Sequence, residues 1–154
     1  MTLTSTLNDD EFAHIIRLTP LVSIDLIIRD HEQNVLIARR TYEPAKGVYF
    51  VPGGCIRKNE TIEHAFARIL GNETGCRANF GDARFIGVFQ HFYPTNRYES
   101  DGYGTHYIVL AYEVRFGGRP TIVLDDQHST HRWMNETELK AATDVHDNTK
   151  AYFY

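Results

Sequence analysis

The stretch from Gly53 to Cys76 contains residue types that can bind a hard cation, with two glycines at its start and Glu73 near its end. Glycine has no Cβ atom, so a ligand can approach the backbone closely at Gly53 and Gly54. Hard cations take oxygen ligands, and a carboxylate and a bare carbonyl group can share one such ion. The stretch therefore predicts a cation between Gly54 and Glu73.

Local patterns predict the elements that would bring these two positions together. The apolar run Phe50-Val51-Pro52 predicts a strand that runs into a glycine loop. A helix is predicted from about residue 60 to residue 73, capped by Asn59, and Gly75 is suited to the left-handed conformation that ends it. Its apolar stripe consists of Ile62, Phe66, Ile69 and Leu70.

The spacing of Gly54, Glu60, Arg68, Glu73 and Gly75 resembles the Nudix box, the loop-helix signature of hydrolases that act on a nucleoside diphosphate linked to another group. The common box has an arginine followed directly by glutamate and, further on, a glutamate pair. This chain has Arg68-Ile69 and Asn72-Glu73 at those places, so two of the usual metal carboxylates are absent. On the box alone, an ordinary amphipathic helix after a glycine turn is the alternative.

The remaining elements are predicted from periodicity and from turn residues. We predict strands at residues 21–29, 35–41, 48–51, 84–93 and 105–116, a weak strand around residue 78, and helices at residues 8–18 and 135–142. The stretch from Pro94 to Gly104 is expected to be a flexible flap over the site. Asp125 to His128 is expected to be a polar loop. Together these elements predict an α+β fold, an α/β/α sandwich with a mixed sheet.

Composition bounds the class of protein. The 154 residues with 42% hydrophobic content predict a single domain over residues 1–154. A formal net charge of -4, without a cluster of lysine and arginine, argues against a nucleic acid polymer as partner. No apolar run reaches membrane-spanning length and the first residues do not resemble a signal peptide, so a cytoplasmic location is expected. Cys55 and Cys76 are predicted to be free thiols.

A wider resemblance extends well beyond the box. The segments TPLVSIDLII, LIARRT, GVYFVPGG, GVFQHFY, THYIVL and DDQHSTHRW resemble the GDP-mannose mannosyl hydrolases of the Nudix family, as does the end of the chain from Asp144 to Phe153. Those enzymes lack the same box carboxylates. They cleave at the sugar carbon and release GDP and inverted mannose. The resemblance implies the Nudix fold, hydrolysis of GDP-mannose or GDP-glucose, and a homodimer.

The resemblance also implies a set of site residues. One Mg²⁺ would be held by the Gly54 carbonyl, the Glu73 carboxylate and the Gln127 side-chain carbonyl, with His128 as the base for water. Asp25 and His91 are expected to contact the sugar, Arg40 and Arg68 the diphosphate or its metal, and Tyr107 a phosphate oxygen. The N-terminal segment of residues 1–19 is expected to contact guanine or form a dimer interface through Thr6, Leu7 and Phe12.

Three of these residues have structural alternatives. Gln127 is read from the sequence alone as a loop amide that satisfies backbone groups. Arg68 can pair with Glu60 and brace the loop against the helix. Asp25, in the middle of a strand, is either a structural partner of an arginine or part of a pair directed at the ligand.

The missing carboxylates favour chemistry at carbon. Attack on phosphorus gains from several metal ions, whereas attack on an anomeric carbon needs chiefly a good leaving group and a base for water. Two other functions stay open, a pyrophosphatase that cleaves a nucleoside diphosphate sugar at phosphorus and a binding module without catalysis.

Cys55 departs from the resembling family, which commonly has an arginine there that suits the diphosphate leaving group. A thiol cannot replace that charge. Arg57 or Lys58 would then supply it, or the natural sugar differs, and Cys55→Arg is expected to raise kcat on GDP-mannose.

Overall fold

The computed structural model describes residues 6–126 and 128–154. Its strands are β1 (Leu21–Arg29), β2 (Val35–Arg40), β3 (Tyr49–Phe50), β4 (Gly53–Cys55), β5 (Arg84–Tyr93), β6 (Thr105–Arg115) and β7 (His128–Met134). Its α-helices are α1 (Asp9–Leu18), α2 (Ile62–Thr74), α3 (Glu136–Ala141) and α4 (Asp147–Lys150), and short 3₁₀ turns occur at Phe80–Asp82 and Ala151–Phe153.

The strands form one mixed sheet. Its order is β3-β2-β1-β6-β5, with β4 paired to β1 and β7 paired to β2. Strand β1 runs parallel to β6 along its whole length and antiparallel to β2 and β4, because β2 follows it through a tight turn and β4 returns after the long loop. The described part of the chain confirms the predicted α+β fold with a mixed sheet.

Alternate side chains of β1 separate the core into two layers, because neighbouring residues of a strand point to opposite faces of the sheet. Ile24, Leu26 and Ile28 pack against α2, where Phe66, Ile69 and Leu70 are fully or almost fully buried. On the other face, Ile27, Ile37 and Ala111 pack with Leu139 of α3 and with Val145. This packing holds α2 in a fixed position beside β4. Residues from both elements can therefore contribute to one site.

Helix α2 begins two residues later than predicted, and Thr61 is its cap. The Thr61 hydroxyl accepts a hydrogen bond from the amide of His64 at 3.1 Å. Asn59 instead has a left-handed backbone (φ 66°), and the Glu60 side chain bonds to Arg68 in place of the helix end. The predicted end is confirmed, since Gly75 has φ 73° and donates to Gly71 at 2.9 Å.

Three further local predictions were wrong. The glycines form β4 rather than a loop, because Ser23 to Asp25 of β1 provide a pairing edge. The expected strand around Ala78 is an irregular segment before the turn Phe80–Asp82. His128 is the first residue of β7 and pairs with Arg40, so the sequence Asp125 to His128 is only partly a loop.

No helix in the described ranges is long and apolar enough to cross a membrane.

Candidate active site

A cavity of about 1080 Å³ lies between α1, β4 and α2 and is closed on one side by the connection from β5 to β6. Its walls contain Thr6, Leu7, Phe12, Asp25, Arg40, Gly54, Arg68, Glu73, His91, Tyr107 and His128. The sequence-predicted site residues are therefore brought together, apart from Gln127, which lies outside the described residues. Their individual roles remain predictions.

The acidic end of the cavity is built from Glu73, Asp125 and His128. Glu73 lies in the last turn of α2, and the other two come from the start of β7 and the loop before it. The Thr41 hydroxyl donates to the Asp126 carbonyl at 3.0 Å, which fixes this loop to the end of β2. His128 Nδ1 lies 2.7 Å from Asp125 Oδ1 and 3.2 Å from Glu73 Oε2.

Glu73 Oε2 is left without a hydrogen-bond partner among the described residues. A neutral imidazole has one N–H hydrogen, and the shorter contact gives it to Asp125. Burial and the nearby Asp125 raise the pKa of Glu73 to about 9. A buried carboxylate with an unsatisfied oxygen, next to the half-buried Asp125, is costly in its charged form unless a cation compensates it.

Glu73 and Asp125 therefore offer carboxylate oxygens that fit a divalent cation, in a group with His128 where one ligand atom from each residue lies within 4.8 Å of the others. Asp125 was missed by the sequence analysis. Its signal was present, because it precedes the predicted pair Gln127-His128 by two residues. Burial lowers the pKa of His128, so the imidazole is neutral near pH 7.

Close backbone packing explains the two glycines of β4. A Cβ atom at Gly53 would overlap Asp25 Oδ1, and one at Gly54 would lie 3.2 Å from Ile69 Cγ1. At Gly53 the strand can therefore lie against β1 only without a side chain, whereas a Cβ atom at Gly54 would require Ile69 to shift by a few tenths of an ångström. Ile69, which stands where the common box has a carboxylate, is 1% exposed and fills this contact.

At the deep end of the cavity, Asp25 bonds to Tyr152 rather than to an arginine. The Tyr152 hydroxyl donates to Asp25 Oδ2 at 2.5 Å and lies 3.4 Å from His91 Nε2. Burial raises the pKa of Asp25 to about 6, against the lowering effects of Tyr152 and of the Arg40 charge. The Asp25–arginine ion pair, one of the two alternatives for Asp25 in the sequence analysis, is absent from the described residues.

His91 is held as a neutral ring in the same place. Burial, together with the charge of His146, lowers the pKa of His91 to about 4. Burial also raises the pKa of Tyr107. Asp25, His91 and Tyr152 thus form a compact polar group that can exchange hydrogen bonds with the hydroxyl groups of a sugar. Tyr152 was missed by the sequence analysis, which expected only that the aromatic C-terminal tail packs.

Arg68 forms the predicted structural pair with Glu60. Its guanidinium donates to both Glu60 oxygens at 2.7 and 2.9 Å and to the Cys55 carbonyl at 2.8 Å. The Glu60 side chain is fully buried. The loop between β4 and α2 is therefore braced as the alternative reading proposed, and Arg68 still contributes to the cavity wall.

Both cysteines are free thiols, as predicted. Burial raises the pKa of the Cys55 thiol to about 11, so this position is uncharged at the cavity wall.

The open end of the cavity lies between α1 and the connection from β5 to β6. The rings of Phe12 and Tyr98 pack edge to face with their centres 6.4 Å apart, and the Tyr98 hydroxyl donates to Asp9 at 3.1 Å. Helix α1 has the predicted capping box, in which Asn8 and Glu11 exchange hydrogen bonds, so its start is well defined. Leu7 is 49% exposed beside this opening. A flat apolar group such as a nucleotide base fits these surroundings.

Comparison with known proteins gives a consistent family. The NUDIX domain family matches residues 19–154. Low-salt glycan biosynthesis protein Agl8 of Haloferax volcanii is 41% identical over 126 residues, which cover 82% of this chain and 78% of that protein. ADP-ribose pyrophosphatase of Methanocaldococcus jannaschii is 38% identical over 58 residues, 38% of this chain and 34% of that protein.

Among solved structures, the MutT protein of Methanosarcina mazei Go1 superposes with a TM-score of 0.71 at 19% identity, covering 87% of this chain and 91% of that one. At this identity the likeness supports the fold alone.

Proposed function

This chain belongs to the Nudix hydrolase family, and on that basis we propose that it hydrolyses a GDP-sugar, GDP-mannose or GDP-glucose, at the anomeric carbon with inversion, giving GDP and free sugar. The observation that carries the proposal is the composition of the acidic end of the cavity. Helix α2 contributes only Glu73 there, while Ile69 is buried in the core, and His128 lies against Asp125. One cation and one base suit attack on carbon better than attack on phosphorus.

A divalent cation at this end, with Mg²⁺ as the candidate, would neutralise charge on the diphosphate as it leaves. Glu73 would be its carboxylate ligand, with the Gly54 carbonyl and Gln127 as further ligands and Asp125 as an additional one. Gln127 lies outside the described residues, so its part rests on the resemblance.

His128 is the proposed base. Because its Nδ1 faces Asp125, its Nε2 is the atom that accepts a proton from water. The water oxygen forms a bond to the anomeric carbon while the bond from that carbon to the diphosphate oxygen breaks, and GDP leaves with the electron pair. Asp125 keeps the imidazole oriented and stabilises its protonated form.

The polar group at the deep end is the proposed sugar subsite. Asp25 and His91 would bind sugar hydroxyls, and Tyr152 holds Asp25 in place. Arg40 and Tyr107 would contact the diphosphate. Thr6, Leu7 and Phe12 would contact guanine at the open end of the cavity.

The name of the Haloferax volcanii relative supports a nucleotide-sugar substrate. It is a glycan biosynthesis protein, and glycans are assembled from activated sugars. The homodimer predicted from the resemblance remains a prediction, and light scattering of the purified protein would test it.

Product identification tests the proposed function. With GDP-mannose and Mg²⁺ we expect GDP and mannose, resolved by chromatography. GMP with mannose 1-phosphate would instead establish cleavage at phosphorus. Absence of turnover on GDP-mannose, GDP-glucose and ADP-ribose, together with tight binding of one of them, would establish a binding module.

The runner-up function is a nucleotide pyrophosphatase, favoured by the Methanocaldococcus jannaschii relative, which is named an ADP-ribose pyrophosphatase. Asp125 adds a second carboxylate at the acidic end, which also suits chemistry at phosphorus. The relative matches only 38% of this chain, however.

A further inference from the structure

The connection from β5 to β6, residues 94–104, is a braced strap across the cavity, not the flexible flap expected from its composition. Asn96 is fully buried at its centre. The Asn96 amide group donates to the carbonyls of Ser100 and Tyr103 at 2.8 and 3.0 Å, and its oxygen accepts from the Tyr98 and Ser100 amides. The strap therefore has a fixed internal shape.

Two contacts fix the strap to the rest of the molecule on either side of Arg97. The Thr95 hydroxyl donates to Glu43 at 2.8 Å, and the Tyr98 hydroxyl donates to Asp9 of α1 at 3.1 Å. These anchors, two residues before Arg97 and one residue after it, limit where Arg97 can point. Its guanidinium carbon lies 5.3 Å from the centre of the Tyr42 ring, a cation–π contact at the cavity wall.

Arg97 is a cation without a carboxylate partner. Within residues 6–126 and 128–154, no Asp or Glu oxygen lies within salt-bridge distance of its guanidinium. It lines the same cavity as Cys55, and its charge lowers the pKa of the Cys55 thiol, against the larger effect of burial. An anchored, exposed and unpaired arginine beside a cavity is available for an anionic ligand.

Other cations also line this wall, namely Arg40, Arg57, Lys58 and Arg68. Arg68 donates hydrogen bonds from Nε and Nη2 to Glu60 and to the Cys55 carbonyl. Arg40 makes a cation–π contact like that of Arg97, 5.2 Å from the centre of the Phe50 ring, and pairs with His128 in the sheet. Arg97 differs from them in coming from the strap, and the Cys55 thiol of the same wall is neutral.

We propose that Arg97 binds the diphosphate of the nucleotide and stabilises the charge that develops as it leaves, in the place where Cys55 supplies none. A guanidinium suits this because it gives a phosphate two parallel hydrogen bonds. The inference rests on the proposed function only in requiring a nucleoside diphosphate group, so it applies to cleavage at carbon or at phosphorus.

Calorimetry with GDP and with guanosine, in the presence of Mg²⁺, tests this assignment. We expect the Arg97→Gln variant to bind GDP roughly 10- to 100-fold more weakly, because it loses charge-assisted hydrogen bonds to the diphosphate. Its affinity for guanosine, which has no phosphate, should stay within about twofold of the wild-type value. The matched control is Arg77→Gln, which removes an exposed arginine outside this cavity and should leave both affinities unchanged.

Rescue separates a missing charge from a damaged strap. Cys55→Arg introduced into the Arg97→Gln variant should restore most of the lost GDP affinity. In the wild-type background it should change kcat little, in place of the rise expected from the sequence alone, because Arg97 already supplies the charge. Equal losses of affinity for GDP and guanosine in Arg97→Gln, or no loss for either, would overturn the role of Arg97. A double variant that binds GDP as weakly as Arg97→Gln alone would overturn it too.

Failure of the proposed function gives a different pattern. If GDP-mannose yields GMP, or is not turned over, while Arg97→Gln still weakens GDP binding selectively, only the proposed reaction fails. A wild-type protein that binds no GDP would overturn both.

Discussion

Glu73 is a buried carboxylate in surroundings that suit a cation. Its Oε2 atom has no hydrogen-bond partner among the described residues, and Asp125 lies in the same cluster. Folding has placed these two carboxyl groups together where α2 meets the loop before β7. Such an arrangement is stable in its charged form only with a compensating positive charge.

Glu73→Gln keeps the shape of the side chain but removes its charge. We expect Mg²⁺ to raise the melting temperature of the wild-type protein and to have little effect on the variant. Turnover should fall by about a hundredfold or more, the size seen when a group that stabilises transition-state charge is removed. Thermal scans with and without Mg²⁺ measure the first effect independently of activity.

Glu63→Gln is the matched control, an exposed glutamate on the same helix that is outside the cavity. It should respond to Mg²⁺ as the wild-type protein does. An unchanged response to Mg²⁺ in Glu73→Gln would show that the cation does not depend on this carboxylate.

Tyr152 is a positioning residue for Asp25, and Tyr152→Phe tests this role. Loss of its hydroxyl leaves a buried carboxylate oxygen without a donor, which should lower the free energy of unfolding by about 1–3 kcal/mol. The kcat/KM for GDP-mannose should fall while affinity for GDP stays unchanged, because Asp25 lies at the deep end of the cavity.

Tyr154→Phe is the comparison, since Tyr154 is 88% exposed at the end of the chain. A loss of stability in Tyr152→Phe without any change in kcat/KM would reduce Tyr152 to a purely structural residue.

At the scale of the elements, the loop between β4 and α2 depends on the Glu60–Arg68 pair. The hydrogen bonds from Arg68 lower the pKa of Glu60 to about 2 from an ordinary 4.5. A depressed pKa in the folded state contributes stability above pH 4.5, and that contribution is lost as the pH falls towards 2.

Glu60→Gln should therefore be less stable than the wild-type protein near neutral pH, and the difference should shrink as the pH falls from 4.5 towards 2. Denaturant unfolding across this range measures the difference, with Glu63→Gln as the control. A difference that stays constant with pH would show that ionised Glu60 does not stabilise the loop.

Elements with a local signal were predictable. Helix α1 follows from Asn8 and Glu11, and the end of α2 follows from Gly75. The start of α2 was not predictable, because Asn59 and Thr61 are both good caps. Which of them caps the helix depends on Glu60, whose side chain turns towards Arg68, eight residues further on. Strand β4 was hidden too, because two glycines signal a loop unless a neighbouring strand pairs with them.

At the scale of the whole molecule, the cavity is assembled from both ends of the chain. Phe12 comes from α1, Glu73 from α2 and Tyr152 from the C-terminal turn. Residues such as Glu73 and His128 were predicted through motifs and a family resemblance. Asp125, Arg97 and Tyr152 were not, because their part in the cavity arises from contacts between distant segments that no local pattern records.

Because segments from both ends of the chain line it, the cavity has regions of different chemical character. A cluster of acidic residues and histidine, a polar group at Asp25 and an open apolar mouth at Phe12 lie in one continuous cavity. A nucleoside diphosphate sugar has three corresponding parts, a base, a charged diphosphate and a hydroxylated ring, and the proposed reaction would break the bond between the last two.

Hydrolysis of GDP-mannose in water enriched in heavy oxygen tests this account most directly. Mass spectrometry of the separated products locates the new oxygen atom, because water adds to the atom that it attacks. Attack at carbon predicts the label in mannose and none in GDP. Label in a phosphate group, with GMP among the products, would contradict the proposed reaction.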